Sequence, residues 1–430
     1  MTVVFAMSDS LIFNLSARIA ANTAKVNEYL ASHGLAQPSF ALDAPSRSLI
    51  PDTELDVAAA RQAVISDCLE LRELMLGPRE HLTSFKHNEL VGQQAIMRFR
   101  LAEAFPIGGE TTFAELAARS GLNEMHVRKL LRFAMTQHIF HEPRPGVVAH
   151  TAASRLLVED KGLASFLRLN TDDLWHSAYH TVNAMAKYPG SEEPNETGFA
   201  LANQTNKDMY RFFKENPERS ERFAAAMRFF TERPGLEPKH VVDNKLWEDI
   251  SAGGTVVDVG GSHGIICIEL ARKFPKLRFV VQDLDEHVVR DAERQRPAEL
   301  ADRVQYMQHN IFTEQPVRGA DVYFLRAIFH NWSDTYGAKI LQSLVPALKP
   351  GAKVVINDEV MPEPGSVPPA LAAQLRSNDL HMLSLQNGCE REMGEWENLF
   401  TKAHPGFRFH GGQQPPGSGL WILVAEWIGV

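Results

Sequence analysis

The sequence predicts an α/β protein, with a parallel-sheet C-terminal half behind a mostly helical N-terminal half. From about residue 250, short β-branched runs alternate with helical stretches, the pattern of a parallel sheet with crossover helices. Up to about residue 235 the periodicity is helical, with almost no strand signal. A glycine-rich turn, Gly260-Gly-Ser-His-Gly264, joins the first strand of the C-terminal half to a helix. The 430 residues suffice for two or three domains, and the change in texture divides them into residues 1–235 and 236–430.

In the N-terminal half, Leu11 to Leu30 reads as a helix. Residues 100–158 hold a small module of helix, turn, helix and hairpin. Thr112–Gly121 is a short amphipathic helix ended by glycine, and Glu124–Ala134 is the second helix. Residues 139–150 read as two short strands around a Pro-Gly turn. This winged-helix order suits DNA reading or dimerisation. The second helix carries Arg128, Lys129 and Arg132, a charged face that solvation also explains. Further on, Asp172, His176 and His180 have a spacing compatible with zinc, but equally with a pocket wall or ordinary packing. Met227–Phe230 and His381–Leu383 line a pocket or fill a core. Tyr188–Glu196 is a polar, turn-rich loop.

The C-terminal half reads strand by strand. Thr255–Val259 precedes the glycine turn and a helix to about Phe274; Arg278–Asp283, Arg303–Gln308 and Asp321–Leu325 are the next strands. A helix from Asp334 carries Ile340, Leu341, Leu344, Val345 and Leu348 on one face and stops at Lys349-Pro-Gly351. Ala352–Asn357 is a fifth strand. Helices near 368–385 and 393–403 lead to a closing hairpin of Phe407–His410 and Leu420–Trp427.

Composition narrows the function. Lys plus Arg is 44 against 53 for Asp plus Glu, a net charge of −9 that argues against general affinity for nucleic acid or anionic membranes. Cys68, Cys267 and Cys389 are too few and too scattered for a disulfide framework or a zinc site. They read as small buried hydrophobes in a reducing compartment. No run is long and apolar enough to span a bilayer. The apolar start, Met1–Met7, lacks a basic flank, and the C-terminus has no lipidation motif, so a cytoplasmic protein is expected.

Asp258-Val-Gly-Gly-Ser-His-Gly264 departs from the dinucleotide spacing, and Asp283 follows Gly264 by nineteen residues at the end of the next strand. A carboxylate there accepts hydrogen bonds from ribose hydroxyls, which indicates a nucleoside-containing cofactor. NAD stays open at this point, as does a turn needed only for close packing.

From about residue 100 the chain resembles the plant and fungal small-molecule O-methyltransferases that use S-adenosylmethionine, especially those of fungal secondary metabolism. The resemblance rests on an ordered series: Val256–Gly261, Asp283-Leu284, Asn310-Ile-Phe312, Phe324–Asp334, Leu348–Gly351, Ile356–Asp358 and Asn387–Arg391. It implies a Rossmann-like class I methyltransferase domain, preceded by a winged-helix dimerisation and substrate-lid region. It also implies a homodimer, a small-molecule substrate, no metal, no nucleic acid and no membrane. Gly260 and Gly261 would hold the methionine part of the cofactor, Asp283 the ribose, and Asn310 and Ile311 the adenine, with Arg326 nearby. Amide replaces the plant family's carboxylate at Asn310, and its oxygen can still accept from the adenine amino group. The N-terminal extension would interlock two subunits.

His330 would be the general base. Imidazole titrates near 6.5 and a phenol near 10, so a positioned histidine can take the proton as the methyl bond forms. Its tautomer would be set by two acids, Asp358 and Glu390. Glu359 should face away by strand alternation, and Asn331 stands where relatives have Asp. An alternative in the same family keeps the cofactor but directs a pericyclic or dehydration reaction without methyl transfer.

Overall fold

The computed structural model describes residues 10–429 apart from 52, 85, 86, 251 and 252, so the apolar start of the chain lies outside the described residues. Two compact units result, each drawn from several stretches. The first comprises residues up to His176 together with 216–230 and 364–374, and the second comprises 177–215, 231–363 and 375 onwards.

Ser10 caps helix α1 (Leu11–Ser32), which pairs with the long α2 (Leu55–Leu82). Arg18 grips Asp67 across the pair through two bonds of 3.0 and 2.7 Å. Gly77, at φ 68°, and Pro78 kink α2, because proline cannot donate to the helix ladder. After α3 (His87–Arg98) and the short strand β1 (Glu110–Thr112) comes α4 (Phe113–Ser120). A reciprocal Thr112–Glu115 capping box starts α4, and Gly121 ends it at φ 71°. Helix α5 (Glu124–Met135) packs Val127 and Leu131 onto Phe113 and Leu116.

The expected hairpin at 139–150 forms only in part. Strand β2 (Val147–Ala149) pairs antiparallel with β1, while the earlier arm contributes one bridge, His141 to Ala149. The left-handed backbone of His138 and Phe140, at φ 61° and 64°, bends that arm out of an extended strand.

Helices α6 (Ala152–Glu159) and α7 (Lys161–Leu169) run into a π-turn over Asn170–Leu174 and then α8 (Trp175–Lys187). The wider turn breaks the α-helical spacing assumed for Asp172 and His176. Asp172 instead meets Arg168, Arg222 and Gln94. Short helices α9 (Gly198–Ala202) and α10 (Met209–Lys214) lead to α11 (Pro217–Thr231), whose Arg219 and Arg222 neutralise the buried Asp173. Phe229 and Phe230, both half-buried, pack on Phe166 within the first unit.

The second unit continues through α12 (Lys239–Val242) into a seven-stranded sheet. Its strands are β3 (Thr255–Val259), β4 (Arg278–Asp283), β5 (Val304–Gln308), β6 (Val322–Arg326), β7 (Lys353–Asp358), β8 (Phe407–Gln413) and β9 (Trp421–Trp427). The order is β5-β4-β3-β6-β7-β9-β8. The first five pair in parallel, and β9 runs antiparallel to both its neighbours. Helices α13 (Ile265–Lys273), α14 (Glu286–Gln295), α15 (Asp334–Leu344), α16 (Pro369–Gln386) and α17 (Met393–Ala403) accompany the strands.

Val257, Tyr323 and Leu325 point into a core with Ile340, Leu341, Trp396 and Phe400. Their neighbours Val256, Val322 and Phe324 point into another with Cys267, Leu270 and Trp247. Burial on both faces is why these strands read as unbroken apolar runs. The chain order reverses at β3 and β6, so the loops leaving those two strands flank the crevice where open α/β sheets bind ligands. Of the cysteines, Cys267 is buried as expected and Cys389 partly so, whereas Cys68 is exposed on α2. Among the described residues no helix is long and apolar enough to cross a membrane.

Candidate active site

The loop after β3 is built around backbone that side chains would obstruct. Gly260 sits at φ 81°, and a Cβ there would meet Ile328 Cδ1 at 2.6 Å. A Cβ on Gly261 would drive into the Asp258 carboxylate. Both glycine N–H groups donate to the Gln282 carbonyl at 2.9 Å, which folds the turn back against the end of β4. Asp258 lies buried beneath this turn. Burial pushes its carboxyl up to about 7, against a hydrogen bond from Cys267 Sγ and the charge of Arg326.

Asp283 closes β4 beside that turn. Burial raises its pKa, opposed by the backbone N–H of Asp285, which donates to Oδ1 at 3.0 Å. Across the crevice, Arg326 ends β6 and donates to Asn357 Oδ1 and to the Leu236 carbonyl. Its guanidinium is thus engaged by the protein itself. Asn310 is exposed, and its Oδ1 accepts from Phe312 N at 3.1 Å. This closes a local turn, so the oxygen expected to face adenine already holds one proton. Ile311 packs against the core on the α15 side of the sheet. Phe312 meets Trp332 edge to face at 4.7 Å, and Trp332 stacks on Tyr336 at 5.8 Å.

His330 occupies a single 3₁₀ turn, Phe329–Asn331, in the loop between β6 and α15. Its Nδ1 is 3.1 Å from Glu390 Oε1 and 3.9 Å from Asp358 Oδ1, with the ring only 23% exposed. Both acids are buried, and two of their oxygens, Asp358 Oδ1 and Glu390 Oε2, have no hydrogen-bond partner among the described residues. The other oxygen of Asp358 accepts from Phe329 N at 2.9 Å and so fixes the backbone that carries the imidazole. Burial disfavours the imidazolium, but the carboxylates of Asp358 and Glu390 outweigh it and raise the ring to about 9.

The structure thus brings His330, Asp358 and Glu390 together, and separately sets Gly260, Gly261 and Asp283 around one turn. The three ligand-capable atoms of the first group lie within 4.8 Å of one another, a grouping compatible with a cation. Glu359 does not stand clear of the cluster. Strand β7 ends at Asp358, so alternation no longer governs the next residue. Burial and then the charge of Glu390 push its carboxyl up to about 8, and Asn378 hydrogen-bonds it.

Several contributors escaped the sequence reading. Arg391 is 1% exposed and donates to the carbonyls of Phe329 (3.0 Å), Trp332 (2.7 Å) and Cys389 (3.3 Å), and to Asp334 Oδ1 (2.9 Å). A lone arginine after Glu390 was the available signal. Asp379 accepts from Glu390 N at 2.8 Å. Asn331 turns its amide onto the carbonyls of Ala327 and Ile328, which a carboxylate could not do.

Comparison with known proteins assigns the chain. Residues 195–408 match an O-methyltransferase domain, and residues 94–160 match an O-methyltransferase dimerisation domain. The grayanic acid biosynthesis cluster O-methyltransferase of Cladonia grayi is 40% identical over 97% of this chain and 88% of its own length. The chain belongs to the O-methyltransferase family. A chlorophenol O-methyltransferase from Trichoderma longibrachiatum is 36% identical, over 98% of this chain and 91% of its own. The crystal structure of OxaC in complex with sinefungin and meleagrin superposes with a TM-score of 0.74, covering 96% of this chain and 98% of that one. At 20% identity that likeness is one of fold.

The methyl donor of this O-methyltransferase is S-adenosylmethionine. The residues present fit it: a turn opened by two glycines at the switch point, and a carboxylate at the end of β4.

Proposed function

We propose that this O-methyltransferase methylates a hydroxyl of a phenolic or enolic secondary metabolite, with His330 as the proton acceptor. The observation that carries the reading is one imidazole nitrogen facing two buried carboxylates. Glu390 accepts the Nδ1 proton, which fixes the tautomer and leaves Nε2 for the acceptor hydroxyl. Asp358 adds negative charge on the same side and stabilises the ring as it becomes a cation. The name of one relative, a chlorophenol O-methyltransferase, supports an aromatic hydroxyl as the acceptor.

When bound, S-adenosylmethionine supplies an electrophilic methyl group on a sulfonium. Gly260 and Gly261 would hold its methionine part, Asp283 its ribose, and Asn310 and Ile311 its adenine, with Arg326 bracing the crevice from β6. The chain's own task is to align the hydroxyl and remove its proton. A ring that titrates near 9 lies about one unit below a phenol, so the transfer costs only about 1.4 kcal/mol. At neutral pH the free ring is an imidazolium and must lose its proton first. The rate therefore climbs with pH up to about 9.

Residues 1–235 serve as the dimerisation and lid region and 236–430 as the catalytic domain of a cytoplasmic homodimer. The match of residues 94–160 to a dimerisation domain supports the homodimer.

The test is acceptor-dependent formation of S-adenosylhomocysteine with a panel of phenols. His330→Ala should lower turnover by about 10²- to 10⁴-fold, with cofactor affinity unchanged by calorimetry. Retained turnover, or an acceptor consumed without methylation by the unaltered enzyme, would overturn the proposal.

A further inference from the structure

We propose that the polar segment 188–196 is a strap that positions His330 against Glu390, with Glu192 and Glu193 as its positioning residues. The inference rests on the reading of His330 as proton acceptor. The O-methyltransferase match begins at residue 195, near the end of the segment, so both glutamates lie outside the matched region.

The strap holds two elements at once. Ser333, the N-cap of α15, makes no capping bond with its own side chain. Glu192 takes that role from a distant part of the chain: its Oε2 accepts from Thr335 N at 2.8 Å, and its carbonyl accepts from Ser333 Oγ at 3.3 Å. Glu193 Oε2 accepts from Tyr336 Oη at 2.6 Å, one helical residue further on. On the other side, Asn387 Nδ2 donates to the carbonyls of Glu193 (2.9 Å) and Glu196 (3.3 Å). Ser333 is three residues beyond His330, and Asn387 is three residues before Glu390. The strap therefore grips the chain on either side of the reacting pair.

Those two elements touch with no slack. A Cβ on Gly388 would drive into the His330 carbonyl and come within 2.7 Å of Asn331 C. Arg391 ties the same pieces together from within, so the strap completes a clamp. Burial disfavours the Glu192 anion, but bonds from Thr335 and Ser333 more than compensate and hold its carboxyl below the usual range. Such a group stays charged and tied to the dipole of α15 across the working pH. The titratable groups facing His330 are Asp358 at the end of β7, Glu359 just after it, and Glu390 before Arg391; Asp379 of α16 acts on Glu390.

A strap that only stabilised α15 would change melting and leave the chemistry alone. A positioning strap changes the chemistry. Glu192→Ala combined with Glu193→Ala should lower kcat by about ten- to a hundredfold, with acceptor KM and cofactor affinity unchanged. The pH limb of kcat should fall from about 9 toward the ordinary imidazole value of about 6.5 as the Glu390 contact loosens. Glu192→Gln, which still accepts from Thr335 N, should restore most of kcat. Should the double variant fail to fold, Tyr336→Phe removes one contact and Asn387→Gly two, the latter keeping the left-handed backbone at φ 52°.

Unchanged rate and pH limb in these variants overturn the inference, as does a kcat loss matched by loss of cofactor binding. His330→Ala run alongside separates the two readings. If it keeps turnover, the assignment of the base fails. If it is inactive while the strap variants behave as the unaltered enzyme, only the strap fails.

Discussion

The ring of His330 carries its positive charge because two carboxylates share one of its nitrogens. A histidine raised in this way adds stability that is complete below its unfolded value of about 6.5 and disappears as pH rises through about 9. Glu390→Gln removes the nearer charge. Its pH–rate limb should move down from about 9, and kcat should drop because the tautomer loses its anchor. In urea unfolding, the stability gap between Glu390→Gln and the unaltered enzyme should be wide at pH 6 and narrow at pH 9.5. His330, Asp358 and Glu390 were legible in the sequence because each sits inside a motif with a fixed order along the chain. Glu359 was not, since strand alternation was extended one residue past the end of β7. Nor was the bond from Phe312 N to Asn310 Oδ1, which depends on a local turn rather than on residue type.

Elements with strong periodicity and explicit caps were readable: α4 runs between its caps Thr112 and Gly121 as those signals require, and α17 covers Met393–Ala403. The π-turn at Asn170–Leu174 left no such mark. Its extra residue is fixed by Asp173 reaching Arg219 and Arg222, partners more than forty positions away. The arm at 139–146 failed as a strand because His138, just before it, and Phe140, within it, adopt positive φ. An exacting meeting of elements is the turn after α16 against the 3₁₀ turn of His330. Gly388→Ala should push the two apart and reduce kcat by about a hundredfold, as a displacement near 1 Å does. The circular dichroism spectrum should stay that of the unaltered enzyme, since the sheet and its helices are untouched.

On the scale of the whole chain, the parallel sheet was legible because its inner strands β3, β6 and β7 are apolar on both faces. Their spatial order was not, because neighbours such as β3 and β6 are brought together across more than sixty residues. Light scattering on the purified protein should give twice the 48.0 kDa chain mass. A single-chain mass would remove the dimer. The sheet's closing step also bears on synthesis. Strand β7 is flanked by β6 on one side and by β9, which begins only at Trp421, on the other. While a ribosome is still translating the stretch between them, the half-built sheet has a bare row of amides and carbonyls along β7 that another nascent chain can join. Slow codons placed before residue 421 should therefore cost yield through aggregation.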